Sequence, residues 1–424
     1  MKVEGYQAGD DCPCCQRGKL YPGEYRKQLR FSAHAPIEVD RYLREALRCN
    51  RCGQELVARL PQGFTKWTPE AKSKVVLYKT AGIPFYRLHQ LQSMHGIPIA
   101  ANTLWQHCAD VWNDGAKHVF GELLQQLGEC HYLNVDDTGV KILEIIEKNK
   151  HLDQKDRRAC HSTTITGDTR EGHHIEAYMT ANDYAGNTIA PIMKNSKNLS
   201  NGHRLTIMSD ASSMNKPNVD SALTAKIYKA NCLQHGRQKF VEIKDDYMKE
   251  CGYFLKEIGE IFAYEQQFKD EKPKKRLKLR KQHSRKHIGN IYREIDRLLS
   301  TKVVEPNSSL GKAMNYWINH KKGLTAFLRM KDVGVSNNRA ERSLKTLILQ
   351  RKNSLFFNSL SSAEVLSGLS SIVQTCKVNG INAFAYLNWL QTNSTQCRIN
   401  PSHYVPWKFN NEDLKDTELI KKAA

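Results

Sequence analysis

The hydrophobic period changes along the chain, and this limits the fold more than any other feature. Between residues 128 and 242, apolar and β-branched residues come in short runs broken by polar turns, at His131–Ile146, Cys160–Thr166, His174–Thr180 and Leu205–Asp210. From about Asp245 to Leu328 they recur at helical spacing: Tyr247, Cys251, Phe254, Ile258, Ile261 and Phe262, then Ile288, Ile291, Tyr292, Ile295, Leu298 and Leu299. Short runs bounded by turn residues suit strands, whereas the helical period suits helices with one buried stripe. The pattern predicts an α/β core interrupted by an all-helical insertion. A last helical region, from about Asn338 to Leu390, is expected to pack back on that core.

Ahead of the core the chain changes character twice. Residues 1 to about 60 are rich in Cys, Gly and Arg and hold too little apolar material to cohere by burial alone. Cys12 and Cys15 form one C-x2-C pair, in CPCC, and Cys49 and Cys52 form another, in CNRCG. Two such pairs can set four thiolates around structural Zn2+, because each turn points both sulfurs at one centre. Between the pairs lie 33 residues, more than the usual ~15–20, so a hairpin-bearing loop has to fill the gap. Cys14 is a spare thiol, and the other seven cysteines stand singly, as buried small hydrophobes do. From Thr68 to about Gln126 the pattern is helical. Gly96, Ile97 and Pro98 break it before a helix expected from about Ala101 to Asn113, with Asn102 and Thr103 in its exposed first turn. This is helix-turn-helix grammar, in which the second helix enters the DNA major groove, although purely structural bundles share it.

Charge points to a polyanionic partner. The chain has 64 Lys+Arg against 44 Asp+Glu, a net +20 at pH 7, and such a field draws nucleic acid. With 40% hydrophobic residues the chain is not intrinsically disordered. No uncharged apolar run approaches the ~18–20 residues that span a bilayer. The start, MKVEGYQAGDD, has no apolar signal stretch. A cytoplasmic protein with no membrane partner is expected, and in that reducing compartment the cysteines serve metal binding or burial rather than disulfides.

Three acids stand where chemistry on phosphodiesters needs them. Asp136 lies in HYLNVDDTGVKIL, opposite in phase to Leu133 and Val135 on a regular strand. Asp210 ends LTIMSD before the polar ASSMN, and the carboxyl end of a strand faces the crevice where α/β proteins bind ligands. Glu341, in SNNRAERSLK, falls in the first turns of a helix that Ser336, Asn337 or Asn338 could cap, at the border of the stripe Ala340, Leu344, Leu347 and Ile348. Two divalent cations roughly 3.5–4 Å apart can activate a water or 3′-hydroxyl and stabilise the leaving oxygen, and oxygen ligands suit Mg2+. Spacing alone does not separate these three from the other acids, most of which are solvated or ion-paired in any chain.

The ordered set VDDTGVKIL, SDASSMN, ANCLQHGRQKF, NNRAERSLKTLILQRKNSLFF, SSIVQTCKVNGINAFAYLNWL and a terminal VPWKF resembles the DDE transposases of insertion sequence family 66, over nearly the whole chain. The resemblance implies an RNase H-like mixed sheet flanked by helices, with a helical insertion before the final acid. It places the family's catalytic residues, ligands of Mg2+ or Mn2+, on Asp136, Asp210 and Glu341. The cysteine pairs resemble the family's zinc-finger-like part, and Pro69–Val111 resembles its helical DNA-binding part. Members usually carry Asp-Glu where this chain has Asp136-Asp137, which makes Asp137 a possible substitute ligand. Many also have a longer, often helical extension ahead of the cysteines, so some end-binding or oligomerisation function is expected to be missing here.

The organisation expected is a zinc-binding module over 1–62, a helix-turn-helix-like segment over 63–127, a catalytic domain over 128–244 and 330–395, the helical insertion over 245–329 and a tail over 396–424. The function implied is a bacterial, nucleoid-associated transposase. It would bind the terminal inverted repeats of its element, cleave them and join them to target DNA. Double-stranded DNA is its partner, with assembly at least dimeric because two ends must meet, and with small companion proteins from the same element. A catalytically inactive repressor derived from a transposase, or a nuclease without strand transfer, are the alternatives. His235 and Arg237 are candidates to orient the scissile phosphate, and Arg339, Arg342, Arg351 and Lys352 to neutralise DNA phosphates. The run from Glu271 to His287 holds nine Lys and Arg, among them Lys274, Lys275 and Arg276, and could grip the backbone. A hydrogen-bonded buried histidine, ordinary surface charge, and a solvated helix start or flexible loop are the corresponding structural readings.

Overall fold

The computed structural model describes residues 5–22 and 34–410, and among these described residues alternation and β-branching place seven strands. Ala46–Arg48 (β1) and Glu55–Val57 (β2) pair as a short antiparallel hairpin. Tyr132–Val140 (β3), Cys160–Asp168 (β4), His174–Ala181 (β5), Leu205–Ser209 (β6) and Ile227–Asn231 (β7) form one mixed sheet in the order β5-β4-β3-β6-β7. β4 runs antiparallel to β3 and β5, while β6 runs parallel to both β3 and β7. Counted from β3, the strands lie in the order 3-2-1-4-5 with only the second reversed. Leu133, Val135, Ile165 and Ile207 are buried in the sheet, and helices flank it.

The run expected as one strand from His131 to Ile146 divides. β3 ends at Val140, the chain bridges Ile142 to Phe357, and Leu143–Lys150 turns into a helix. Phe357 N–H donates to Lys141 O and Leu143 N–H donates to Phe357 O, both at 2.9 Å, which ends the pairing with β4. Ile142 and Ile145 are buried at helical rather than strand spacing.

The contact pattern divides the chain into two units, Met1–Asp40 and Arg41–Ala424. Within the second, helices Pro69–Thr80, Phe85–Met94 and Ala101–Val111 follow the sequence expectation. Thr68 caps the first by accepting from Ala71 N–H at 3.2 Å, and Gly96, at φ +74°, takes the left-handed turn that separates the other two. The third helix stops at Val111 rather than Asn113. A wider turn follows over Trp112–Ala116, and the Trp112 ring occupies the place where a Cβ on Gly368 would be. These helices are tied to the last helical region, Asn338–Ser354, Leu360–Val378 and Ala383–Thr392. Gln350 donates to Thr80 O at 3.1 Å, Asn353 to Gly82 O at 2.8 Å and Gln391 to Ser73 Oγ at 2.8 Å. Lys79 donates to Ser354 Oγ at 2.8 Å, and its burial pulls the ammonium pKa down to about 8. The tail expected from 396 is helical over Ser394–Ile399, and beyond 410 it lies outside the described residues.

The insertion is helical over Met248–Gln267, Pro273–Gln282, Ser284–Ser300 and Ser309–Asn319. Most of its predicted stripe is buried: Cys251, Phe254, Ile258 and Ile261 share one cluster with Ile288, Ile291, Tyr292, Ile295 and Leu298 and with Met208, Ala230 and Cys232 of the sheet edge, and Tyr247, Phe262 and Leu299 pack against it partly buried. The basic run is therefore ordered helix, and Arg280 within it belongs to the interior. Only 1% exposed, Arg280 pairs with Glu265 and donates to Val333 O at 2.8 Å. Trp317 closes the insertion onto the helix Leu233–Val241: its indole N–H donates to Gly236 O at 3.0 Å, and the ring lies 3.1 Å from where a Cβ on Gly236 would stand.

Trp317→Ala should cost about 3–5 kcal/mol through the cavity and the lost indole hydrogen bond to Gly236 O. Chemical denaturation checks this, and a loss under ~1 kcal/mol would mean that the insertion is not anchored through this ring.

Candidate active site

Strand register carries two acids to one level. β3 and β6 pair in parallel from Tyr132↔Thr206 to Asn134↔Met208, so two residues further along both strands stand Asp136 and Asp210. β6 and β7 pair up to Ser209↔Asn231, so one residue further Cys232 stands level with Asp210. Asp210 and Cys232 sit just past the carboxyl ends of β6 and β7, where the chains part, and Asp136 stands level with them on β3, which continues to Val140 beside β4.

Burial pushes the Asp136 carboxyl up to about 7, and the charges of Glu341, Asp210 and Asp137 add to the rise. The Asp137 N–H, 3.1 Å from Asp136 Oδ1, opposes it. Asp210 Oδ1 accepts from Ser212 N–H at 3.0 Å and from the Asn215 amide. Asp137 is also raised by burial, against His161 and the Ala185 N–H, which lower it, and its buried Oδ2 has no hydrogen-bond partner. His161 and the Ala185 N–H are the neighbours that favour its charged form, while the charge of Asp210 adds to its rise.

Glu341 comes from the first turn of Asn338–Ser354, and Asn337 fixes where that helix begins. Wholly buried, Asn337 occupies the cap position but makes no capping bond. Its side-chain amide is used on β3 instead: Nδ2 donates to Val135 O at 3.0 Å, and Oδ1 accepts from Asn134 at 3.1 Å. Its N–H donates to Cys232 Sγ at 3.1 Å. One residue thus ties the strand of Asp136, the element after β7 and the helix of Glu341. Cys232 S–H in turn donates to Glu341 Oε1 at 3.8 Å, and His235 Nδ1 lies 3.7 Å from the same oxygen. Among the described residues, Cys232, His235 and Glu341 are the group of three potential ligands whose donor atoms lie within 4.8 Å of one another.

The sequence candidates are not equally placed. Asp136 lies within the charge field of Asp210 and Glu341, and His235 Nδ1 stands 3.7 Å from Glu341. Arg351 donates to Thr138 Oγ1 and Gly139 O, both at 2.7 Å, and with Lys352 lines a cleft of about 800 Å³ at the end of β3, beside Arg157, Arg158 and His161. Arg339 is held by Asp168 at 2.6 Å and by His174 at 3.1 Å. Arg342 is exposed and Arg237 half-buried. Lys274, Lys275 and Arg276 lie on the insertion helix Pro273–Gln282, Lys275 paired with Glu271 at 2.8 Å. Sequence reasoning took Asn337 only as a possible helix cap, missed Asn134 and took Cys232 as filler. It is buried, as are the other six single cysteines, but its thiol also meets Glu341. The C-x2-H spacing at the start of a helix was the available signal.

The cysteine pairs sit in tight turns. Gln16 N–H donates to Cys12 O at 2.9 Å, and Gly53 N–H to Cys49 O at 3.0 Å. The N–H groups of Arg17 and Gly18 hold the Cys15 thiol below its usual pKa, and those of Cys52 and Arg51 do so for Cys49.

The donors Asp136, Asp210 and Glu341 are all oxygens, and the crowding that raises Asp136 is what a hard divalent cation would relieve. They suit such an ion in donor type and charge, although their oxygens do not close within 4.8 Å of one another as the donors of Cys232, His235 and Glu341 do. No helix among the described residues is long and apolar enough to cross a membrane.

A model of the transposase IS66 family matches residues 65–365. The uncharacterized protein y4jD of Sinorhizobium fredii is 24% identical over 401 residues, covering 89% of this chain and 73% of that protein. Two further uncharacterized proteins of the same organism are similar over shorter stretches: y4qI is 24% identical over 42% of this chain and 34% of its own length, and y4hP 27% over 37% and 31%.

An acid raised from 3.8 to about 7 keeps, in the folded state, a proton that the unfolded chain releases. Its stabilising contribution is complete below the unfolded value and is lost as pH rises to about 7. With a chelator present, Asp136→Asn should therefore melt above wild type at pH 8, with the gap closing toward pH 4. Parallel melting curves across that range would contradict the burial and crowding described for Asp136.

Proposed function

Since the chain belongs to the transposase IS66 family, we propose that it is a DNA transposase. In this reading Asp136, Asp210 and Glu341 carry phosphodiester cleavage and strand transfer at the terminal inverted repeats of its element. The observation that carries the reading is the meeting of acids from β3, from the end of β6 and from a helix 131 residues later, close enough that Glu341 and Asp210 both raise Asp136. An RNase H-like sheet is part of the reading, supported by the strand order 3-2-1-4-5 with its second strand reversed.

Asp136, Asp210 and Glu341 would hold Mg2+ or Mn2+, which supplies Lewis-acid activation of the attacking oxygen and charge neutralisation at the leaving one. Asn337 keeps the strand and the helix in register for that purpose. His235, 40% exposed beside Glu341, can hydrogen-bond the scissile phosphate. Arg351 and Lys352 line a basic cleft at the end of β3 and neutralise flanking phosphates. Arg342 is nearer to solvent than Arg237 and Arg339, and the ion pair of Arg339 with Asp168 gives it a structural part. Lys274, Lys275 and Arg276 add affinity without sequence information. Ala101–Val111 exposes Asn102 and Gln106 for end recognition.

Zinc on Cys12, Cys15, Cys49 and Cys52, assembly of two or more chains on paired DNA ends, small companion proteins and a nucleoid-associated cytoplasmic location complete the proposal, with the domain limits read from the sequence. The lowered Cys15 and Cys49 thiols support the zinc.

With Mg2+ and a supercoiled plasmid carrying the element ends, wild type should nick and join, and Asp210→Asn should lose at least ~10²-fold in rate while still binding the ends. Equal end binding with no cutting by either protein would mean a repressor, and nicking without joined product a nuclease. Replacing Cys49 and Cys52 with Ser should remove about one zinc per chain in metal analysis, and unchanged zinc would rule the site out.

A further inference from the structure

Cys232 and His235 stand at the cap and in the first turn of Leu233–Val241, three residues apart, so both side chains leave the same end of that helix on one side. Glu341 reaches them from the first turn of another helix. Its Oε1 is 3.8 Å from Cys232 Sγ and 3.7 Å from His235 Nδ1, with all three donors inside a 4.8 Å span. His235 Nδ1 is buried without a hydrogen-bond partner, yet the ring as a whole is 40% exposed. The site thus presents sulfur, nitrogen and oxygen on its inner side and solvent on its outer side.

We propose that Cys232, His235 and Glu341 bind one thiophilic divalent cation of the Zn2+ or Co2+ kind, with a fourth position open to solvent. Tetrahedral ligation, with Zn–S about 2.3 Å and Zn–N or Zn–O about 2.0–2.1 Å, sets donor separations of about 3.3–3.6 Å, so Glu341 Oε1 needs to close by only about 0.2–0.4 Å on each of the other two donors, whose own separation is within 4.8 Å. Binding displaces the Cys232 thiol proton to solvent. The Asn337 N–H, already 3.1 Å from Sγ, then supports the thiolate as outer partners of metal ligands do. Mg2+ has no use for a thiol or an imidazole, so the same carboxylate serves two different ions according to which is present. The consequence for activity rests on the transposase reading: an ion held here takes Glu341 away from Asp136 and Asp210, so Zn2+ suppresses Mg2+-supported cleavage.

The test titrates Co2+ into the full-length protein in excess Mg2+, following the thiolate-to-cobalt charge-transfer band and the bound cobalt per chain. It compares wild type with Cys232→Ser and His235→Asn, each checked for folding by its melting curve. Wild type should bind one more cobalt per chain than either variant, and equimolar Zn2+ should bleach that extra band. Equal cobalt in wild type and both folded variants overturns the site, whatever the cleavage result. In parallel, wild-type plasmid cleavage in Mg2+ should fall at least tenfold on adding one equivalent of Zn2+ beyond what the N-terminal cysteines retain. Undiminished cleavage with the extra band present overturns the competition for Glu341 and leaves the site. An extra band with no cleavage under any condition overturns the transposase reading instead.

Discussion

Three parallel strands held in one register decide where the chemistry of this chain can be. Once Asn134 pairs with Met208 and Ser209 with Asn231, Asp136, Asp210 and Cys232 must emerge level at the same edge. No side chain has to be steered there individually, because the ladder of backbone hydrogen bonds does it, and a slip of one residue would turn Asp136 to the opposite face. The third acid cannot come from the ladder. Glu341 arrives on a helix, and the amide of Asn337 extends the register from β3 into it by using donor and acceptor on Val135 and Asn134 instead of on its own helix.

Such an arrangement is unfavourable in isolation. Burying one carboxyl beside two others raises Asp136 to about 7, which means that the folded chain resists carrying the full negative charge of the cluster. The surroundings hold it anyway. Leu233–Val241 is clamped by Trp317 through Gly236, and the insertion behind it shares one hydrophobic cluster with Met208, Ala230 and Cys232 at the sheet edge. The insertion is thus more than an appendage, since its core buttresses the elements that carry His235 and Cys232. The chain as a whole carries a net charge of +20, which favours the approach of a polyanion.

Much of this was legible beforehand, for physical reasons. The strand-like runs Cys160–Thr166 and His174–Thr180 and the helical stripes of the insertion were readable because a half-buried strand and an amphipathic helix impose different periods on the same apolar residues. The segment after Val140 was misread because Leu143, Ile145 and Ile146 suit either period, and only the bridge from Ile142 to Phe357 decides between them. Ile227–Asn231 escaped notice because its residues are mostly half-buried and mixed in polarity. Arg280 looked like one more cation in a basic run, but Glu265 and the Val333 carbonyl take it into the interior. Nothing in a local window reports partners so distant in the chain.

The sequence by itself determined the mixed α/β class of fold, the helical insertion and the spacing of the cysteine pairs, because these follow from composition, period and motif along the chain, while the choice of acids came from the family resemblance. Only the tertiary structure decided that Asp137 turns to His161 and Ala185 while Asp136 faces the other acids, that Asn337 serves β3 rather than its own helix, that Arg339 is engaged by Asp168, and that Cys232 stands against Glu341. Each of these is a pairing between segments far apart in sequence, set by backbone register and packing. Register and packing depend on the whole sheet at once, so no stretch of the chain can state them alone.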